Sequence, residues 1–252
     1  MIPLSAQIIQ HDLSTPTAQA IPIEIVRVTT STIDHLKSLT ACPLLCLAEE
    51  QTQARGQHQR VWYAPAFQNI YFSLRWQFPQ SFTQRQGLSL AVGLAVIQAL
   101  TQHGAPALKI KWPNDIYWRN QKLAGILIEL GPHQIATISM GINVNMTSAE
   151  TIPQSWTSLQ LITGKAIDRN PLIASLLEQL IATLNQYQQS GWQSFLPLWA
   201  QYDYLKDQRI TLQQGDNRYQ GRVNGVDHRG YLLLEDDLGN ISHHINGHVV
   251  KA

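Results

Sequence analysis

Three places in this 252-residue chain set long cations beside apolar sequence, where a charge is costly to leave unpaired. They are the polar run Arg55 to Arg60, Lys111 within Lys111-Trp112-Pro113-Asn114-Asp115, and Lys122 at the head of the apolar run Leu123 to Leu130. Ammonium and guanidinium groups suit phosphate or carboxylate, so the chemistry they offer is anion binding. Two arrangements are open. The lysines can reach solvent along their apolar stems or meet a carboxylate such as Asp115. Alternatively, Lys111 and Lys122 lie on successive strands of one meander, ~5 Å apart, and point at one anion. Asn143 then falls on the polar face of the next strand. Gly125 removes a side chain where a flat ligand could approach the backbone, which together makes a pocket for a phosphate and a ring.

The elements that must carry these residues can be read from period and punctuation. Ile23 to Val28 is strand-like, and the Thr29 to Thr32 cluster can cap a short helix over Ile33, Leu36 and Leu39. Pro43 to Ala48 reads as a second, buried strand, and Glu49 to Gln59 as a polar loop with exposed cations. Leu88 to Leu100 is a core helix. Short strands follow at Leu108 to Trp112, Ile116 to Trp118, Leu123 to Leu130 and Ile135 to Val144, separated by turn-forming residues, which is an antiparallel meander. In the last of these, Ala136, Ile138, Met140, Ile142 and Val144 alternate with Thr137, Ser139, Gly141, Asn143 and Asn145, so one face is apolar and the other polar. Asn170-Pro171 starts a helix whose core face is Ile173, Leu177, Leu180, Leu184 and Tyr187. Three segments result: a loosely structured arm over 1–22, a main unit over 23–204, and a small all-β unit over 205–252 with the proportions of a little barrel.

Composition narrows the partners. Lys plus Arg number 18 against 17 for Asp plus Glu, so no net positive charge is present to drive binding along a nucleic-acid backbone. The acidic run Glu235-Asp236-Asp237 argues the same for the β unit. The N-terminus has no signal-peptide pattern, and no apolar run approaches the ~20 residues that span a bilayer, which predicts a cytoplasmic protein without membrane contact. Cys42 and Cys46 lack the spacing of a zinc site or a disulfide framework, and are expected to be buried, reduced thiols.

Taken in order, Lys111-Trp112-Pro113-Asn114-Asp115, Lys122-Leu123-Ala124-Gly125-Ile126-Leu127 and Gly141-Ile142-Asn143 closely resemble the motifs of the biotin protein ligase family. The resemblance extends to Ser31-Thr32, Glu49-Glu50-Gln51, Arg55-Gly56 and Trp62, and downstream into the β unit. It implies an α+β fold: a mixed sheet with packed helices like that of class II aminoacyl-tRNA synthetases, plus an SH3-like C-terminal barrel. It also implies the reaction, in which biotin and ATP form biotinyl-5'-AMP and pyrophosphate, with Mg2+ accompanying ATP and no metal ligand from the protein. Biotin then passes to a lysine of the biotin carboxyl carrier protein of acetyl-CoA carboxylase.

By the same resemblance, Ser31, Thr32, Gln51, Arg55, Gly56, Gln57, Lys111 and Gly125 would contact biotin, with Ser31, Thr32 and Gln51 on its ureido ring. Arg55, Arg60, Trp62, Asn114, Lys122, Asn143 and Trp156 would contact ATP, and Lys111 and Arg55 would act in catalysis. Without the family match, Ser31 and Thr32 are an ordinary helix cap. The sequence departs from the family at Gln57-His58-Gln59, where Arg or Gly is usual, and at Ile33, where Asn is common. The arm over 1–22 is too short for the DNA-binding domain of some members, so the single-function form is expected, as monomer or homodimer. The alternatives are a lipoate or octanoate transferase, which shares the fold but lacks the Lys-Trp-Pro-Asn-Asp run, and a sensor that binds biotin or nucleotide without releasing pyrophosphate.

Overall fold

The computed structural model describes residues 2–57, 60–79, 86–149 and 151–251. His58 and Gln59, two of the three unusual loop residues, lie outside them. A seven-stranded mixed sheet carries the order β1-β2-β3-β7-β6-β5-β4. Its strands are β1 (Ile23–Thr29), β2 (Leu44–Gln51), β3 (Ile70–Gln77), β4 (Leu108–Lys111), β5 (Asp115–Trp118), β6 (Gln121–Leu130) and β7 (Ile135–Ile142). Only β1 and β2 run parallel. The meander from β4 to β7 is antiparallel throughout. On β7 the alternation has its physical counterpart: Ala136, Ile138, Met140 and Ile142 are buried in the main core. On the opposite face Ser139 accepts a hydrogen bond from Ser73 at 2.9 Å.

Strand β3 was not among the elements legible in the sequence. Every residue from Ile70 to Trp76 is buried, so the strand shows no alternation. It occupies the centre of the sheet between β2 and β7, where both faces are covered.

The first 22 residues correct the expectation of a loose arm. They form two short helices, α1 (Ala6–Asp12) and α2 (Pro16–Gln19), capped by Ser5 and Thr15. Leu4, Ile9, Leu13, Ala18 and Ile21 belong to the main core. Helices of seven and four residues are too short to display a helical period. Helix α3 (Thr32–Lys37) begins at an Ser31 cap, as an ordinary helix cap would. Helices α4 (Leu88–Gln102) and α6 (Arg169–Ser190) pack on each other, with the short α5 (Leu159–Thr163) before and α7 (Leu196–Tyr202) after α6. Pro171 falls in the first turn of α6, whose cap is Asp168.

The C-terminal strands β8 (Arg209–Gln214), β9 (Asn217–Val226), β10 (Leu232–Glu235), β11 (Ile241–His244) and β12 (His248–Lys251) make a five-stranded antiparallel sheet, with β11 and β12 at its edges. It is not a detached appendage, because Ile210, Leu212, Val223, Leu232, Leu234 and Val249 share one core with the main sheet. The indole N–H of Trp112 donates to the Gly230 carbonyl at 3.1 Å, tying the Lys-Trp-Pro-Asn-Asp turn to this sheet. Of the two free cysteines, Cys46 is buried, with its thiol pushed up to about 12 by burial, whereas Cys42 is partly exposed, contrary to expectation.

Candidate active site

A cavity of about 650 Å³ opens where the polar face of the meander meets the start of α3 and the segment after β2. Ser31, Thr32, Gln51, Arg55, Gly56, Gln57, Arg60, Trp62, Lys111, Asn114, Lys122, Gly125, Asn143 and Trp156 all line it. The cations Arg55, Arg60, Lys111 and Lys122 face a single lining carboxylate among the described residues, that of Asp115. This excess makes the cavity attractive to anions.

How each side chain is held shows which groups are structural. Lys111 ends β4 and its ammonium stands 5.4 Å from the centre of the Tyr117 ring. Lys122 meets Asp115 at 2.8 Å, so for this lysine the carboxylate partner left open above is realised. The two lysines are not on adjacent strands, since β5 lies between β4 and β6. They converge on the same cavity across it. The Asn114 amide donates to the Ile126 carbonyl at 2.6 Å, which locks the turn following Lys111. The buried Asn143 amide donates to the Thr157 carbonyl at 3.0 Å and so fixes the segment carrying Trp156.

At the other end of the cavity, Ser31 accepts from the Asp34 N–H at 3.0 Å. Gln51 is not in a loop but completes β2, and Glu49 beside it is buried. The Gln51 amide oxygen accepts from the Thr32 backbone N–H at 2.7 Å and from its hydroxyl at 3.2 Å. That pairing turns the amide so that its NH2 end is the one able to meet a ligand carbonyl.

A flat group does approach Gly125, but it is an indole of the chain itself. Trp62 lies over Gly141 and Gly125, and a Cβ at Gly141 would fall 2.6 Å from its ring. The Lys122 ammonium stands 5.3 Å from the same ring. Trp62 is thereby pinned to the sheet beneath the loop that carries Arg55 and Arg60.

Two neighbours of the site escaped the sequence reading. Asp34 bonds both terminal nitrogens of Arg55 at 2.7 Å. His248, from β12, lines the cavity, and its Nδ1 is 3.3 Å from an Arg60 nitrogen. Asp34 was discoverable as the acid three residues after a cap, facing the loop. For His248 no local signal exists, because only the docking of the second sheet brings it near. Arg55 beside it holds the Asp34 carboxyl down at about 2, below its usual 3.8. A depressed carboxylate stabilises the fold above its unfolded pKa and loses that contribution only as pH falls toward 2, so the pair is intact at neutral pH. Among the described residues no group of three or more His, Cys, Asp or Glu is placed to hold a metal, and no helix is long and apolar enough to cross a membrane.

The profile of the Biotin/lipoate A/B protein ligase family matches residues 24–145. The bifunctional ligase/repressor BirA of Salmonella typhimurium is 38% identical over 76% of this chain and 62% of that protein. The chain thus spans less than two thirds of that relative's length. The biotin--[acetyl-CoA-carboxylase] ligase of Mycobacterium tuberculosis is 35% identical over 76% of this chain and 73% of its own. Among solved structures, the biotin protein ligase of Aquifex aeolicus in complex with biotin and ATP superposes with a TM-score of 0.83 at 26% identity, covering 91% of this chain and 97% of that one. Mixed sheet, packed helices and five-stranded C-terminal sheet therefore define the fold class of the biotin and lipoate ligases. Within that class, the chain belongs to the biotin protein ligase family.

Proposed function

We propose that this chain is an ATP-dependent biotin ligase that forms biotinyl-5'-AMP and transfers biotin to a lysine of a biotin carboxyl carrier protein. The observation that carries the reading is one cavity with two kinds of lining: the hydrogen-bonding set Ser31, Thr32 and Gln51, and the cations Arg55, Arg60, Lys111 and Lys122. Biotin has both halves to match, a ureido ring that must be hydrogen-bonded when buried and a carboxylate. The Gln51 NH2 would meet the ureido carbonyl, and the Ser31 and Thr32 hydroxyls its other polar atoms.

The carboxylate oxygen of biotin attacks the α-phosphorus of ATP, and the bond to the β-phosphate oxygen breaks as pyrophosphate leaves. Two anions must approach, so Lys111 and Arg55 would offset their repulsion and stabilise charge developing at phosphorus. Lys122, Asn143 and Trp156 would border the nucleotide, with Arg60, Trp62 and Asn114 completing that end. Asn114 and Asn143 would do so mainly through the segments their amides fix. Magnesium enters as part of the ATP substrate. In the second step the carrier's ε-amine attacks the acyl carbon and AMP leaves. A carrier from acetyl-CoA carboxylase and a cytoplasmic location complete the reading, which the names of the relatives above support.

Exchange of labelled pyrophosphate into ATP tests it, with lipoate and octanoate as controls. Exchange with biotin alone supports the ligase. Exchange with another acid instead, or none while biotin still binds, removes it in favour of a transferase relative or a sensor.

The loop offers a further check. Gln57 lines the cavity where the family more often has a cation. Gln57→Arg is expected to lengthen the lifetime of enzyme-bound adenylate, because an added cation binds its phosphate. The off-rate of labelled adenylate after removal of free substrates reads this directly, and an unchanged rate would exclude position 57 from holding the intermediate.

A further inference from the structure

The loop that borders the cavity is ordered by bonds of its own. Arg55 pairs with Val61 as an isolated antiparallel bridge, Gly56 N–H donates to Arg60 O at 2.8 Å, and Trp62 N–H donates to Ala54 O at 2.9 Å. A hairpin this small is marginal by itself in water, so its position depends on what it is tied to. Three ties are present: Trp62 on the glycines of the sheet, Arg60 against His248, and Arg55 on Asp34. Of these, the bidentate pair with Asp34 is both directional and charge-assisted, the strongest form of side-chain hydrogen bond.

Asp34 stands in the first turn of α3, the same turn whose Thr32 holds Gln51. One helical turn therefore sets the end of β2 and the loop that follows it. Lys37 lies behind the carboxylate, 3.7 Å from Asp34 and 3.1 Å from Glu129, which keeps Asp34 from turning away. The pair leaves Arg55 usable. A guanidinium has five N–H groups, and Asp34 takes one from each terminal nitrogen, so the remaining donors can bind an anion without the pair breaking.

We infer that Asp34 is a positioning residue that orders the 54–62 loop and aims Arg55 before any ligand arrives. The inference rests on the ligase reading for the identity of the ligand, though not for the order of the loop. Preorganisation of this kind lowers the cost of binding, since less of the loop must be ordered with the ligand. It also supplies a reason why the loop can dispense with the usual cations at Gln57-His58-Gln59: the charge that fixes it comes from the helix.

Two measurements on the full chain decide the matter. In ligand-free protein, trypsin cleavage after Arg60 is expected to quicken about fivefold in Asp34→Asn, the effect of losing a partly screened ion pair. Asp34→Glu, which keeps the carboxylate, should restore part of the protection, and serves also if Asp34→Asn unfolds. Added salt should speed cleavage of the parent chain toward the Asp34→Asn rate while leaving that variant unchanged, once trypsin's own salt response is subtracted; a merely structural role would show no such convergence. In pyrophosphate exchange, the biotin KM of Asp34→Asn should rise about fivefold with kcat within about twofold. Unchanged cleavage overturns the inference, and so does a fall in KM, which would mean that Asp34 competes with the substrate anion. Absence of exchange in the parent chain would instead defeat the ligase reading, while the cleavage comparison still judges Asp34.

Discussion

Lys111→Ala is expected to lower biotin-dependent adenylation about 10²–10³-fold while the melting temperature stays close to that of the parent chain. Lys111 is the site cation best separated from the fold. It sits at the end of β4, where its backbone pairs with Asp115 across the turn whatever the side chain. Its side chain is only half-buried, so truncation opens no core cavity. The visible loss is the contact over Tyr117, about 0.5–1 kcal/mol for an exposed cation–π pair. In the reaction, by contrast, Lys111 would face a carboxylate and a phosphate that must come within bonding distance, and charge stabilisation aimed at that point is commonly the largest catalytic contribution. Single-turnover formation of adenylate, measured beside thermal unfolding, separates the two effects. A rate equal to the parent's would take Lys111 off the reaction path; a large drop in melting temperature would make it a structural residue.

Lys122 would be a poorer probe of the same idea, and the reason shows what a sequence can and cannot carry. Its type and its place at the head of an apolar run mark it as unusual, yet only the structure shows that its ammonium meets Asp115 at 2.8 Å. Removing it would strand that carboxylate, and lost activity could not be assigned. Similar limits apply elsewhere. The meander was legible because β7 alternates between core and cavity, whereas β3 was silent because it is buried on both faces. Gly125 was readable as a place of close approach, but not that Trp62, far along the chain, is what approaches. Site residues grouped in short motifs came together in one cavity as their order suggested. Those brought in by tertiary docking, such as His248, left no trace in local sequence.

Glu49 is the sharpest case, since its charge suggested a solvated loop and the structure buries it. Its carboxylate meets Arg169 at 2.7 Å and accepts the Leu4 N–H at 2.6 Å, while Arg169 also donates to the carbonyls of Asn69 and Ile2. The two side chains are 6% and 1% exposed, so water can replace none of these bonds. Arg169→Met is expected to cost about 3–5 kcal/mol, because it leaves a carboxylate and two carbonyls buried without their donor. For a chain of this size that corresponds to a fall in melting temperature of roughly 6–20 °C. Glu49→Leu combined with Arg169→Met should recover a substantial part, since an apolar pair carries no desolvation penalty. A single variant that loses less than about 1 kcal/mol would show the pair to be dispensable, as exposed pairs usually are. The same network reaches the cavity, because Glu49 precedes Gln51 by two residues on β2 and also anchors the N-terminal segment through Leu4. Arg169→Met protein that remains folded at low temperature should therefore bind biotin more weakly while retaining its rate at saturation, for the disturbed residue positions Gln51 and does not touch phosphorus.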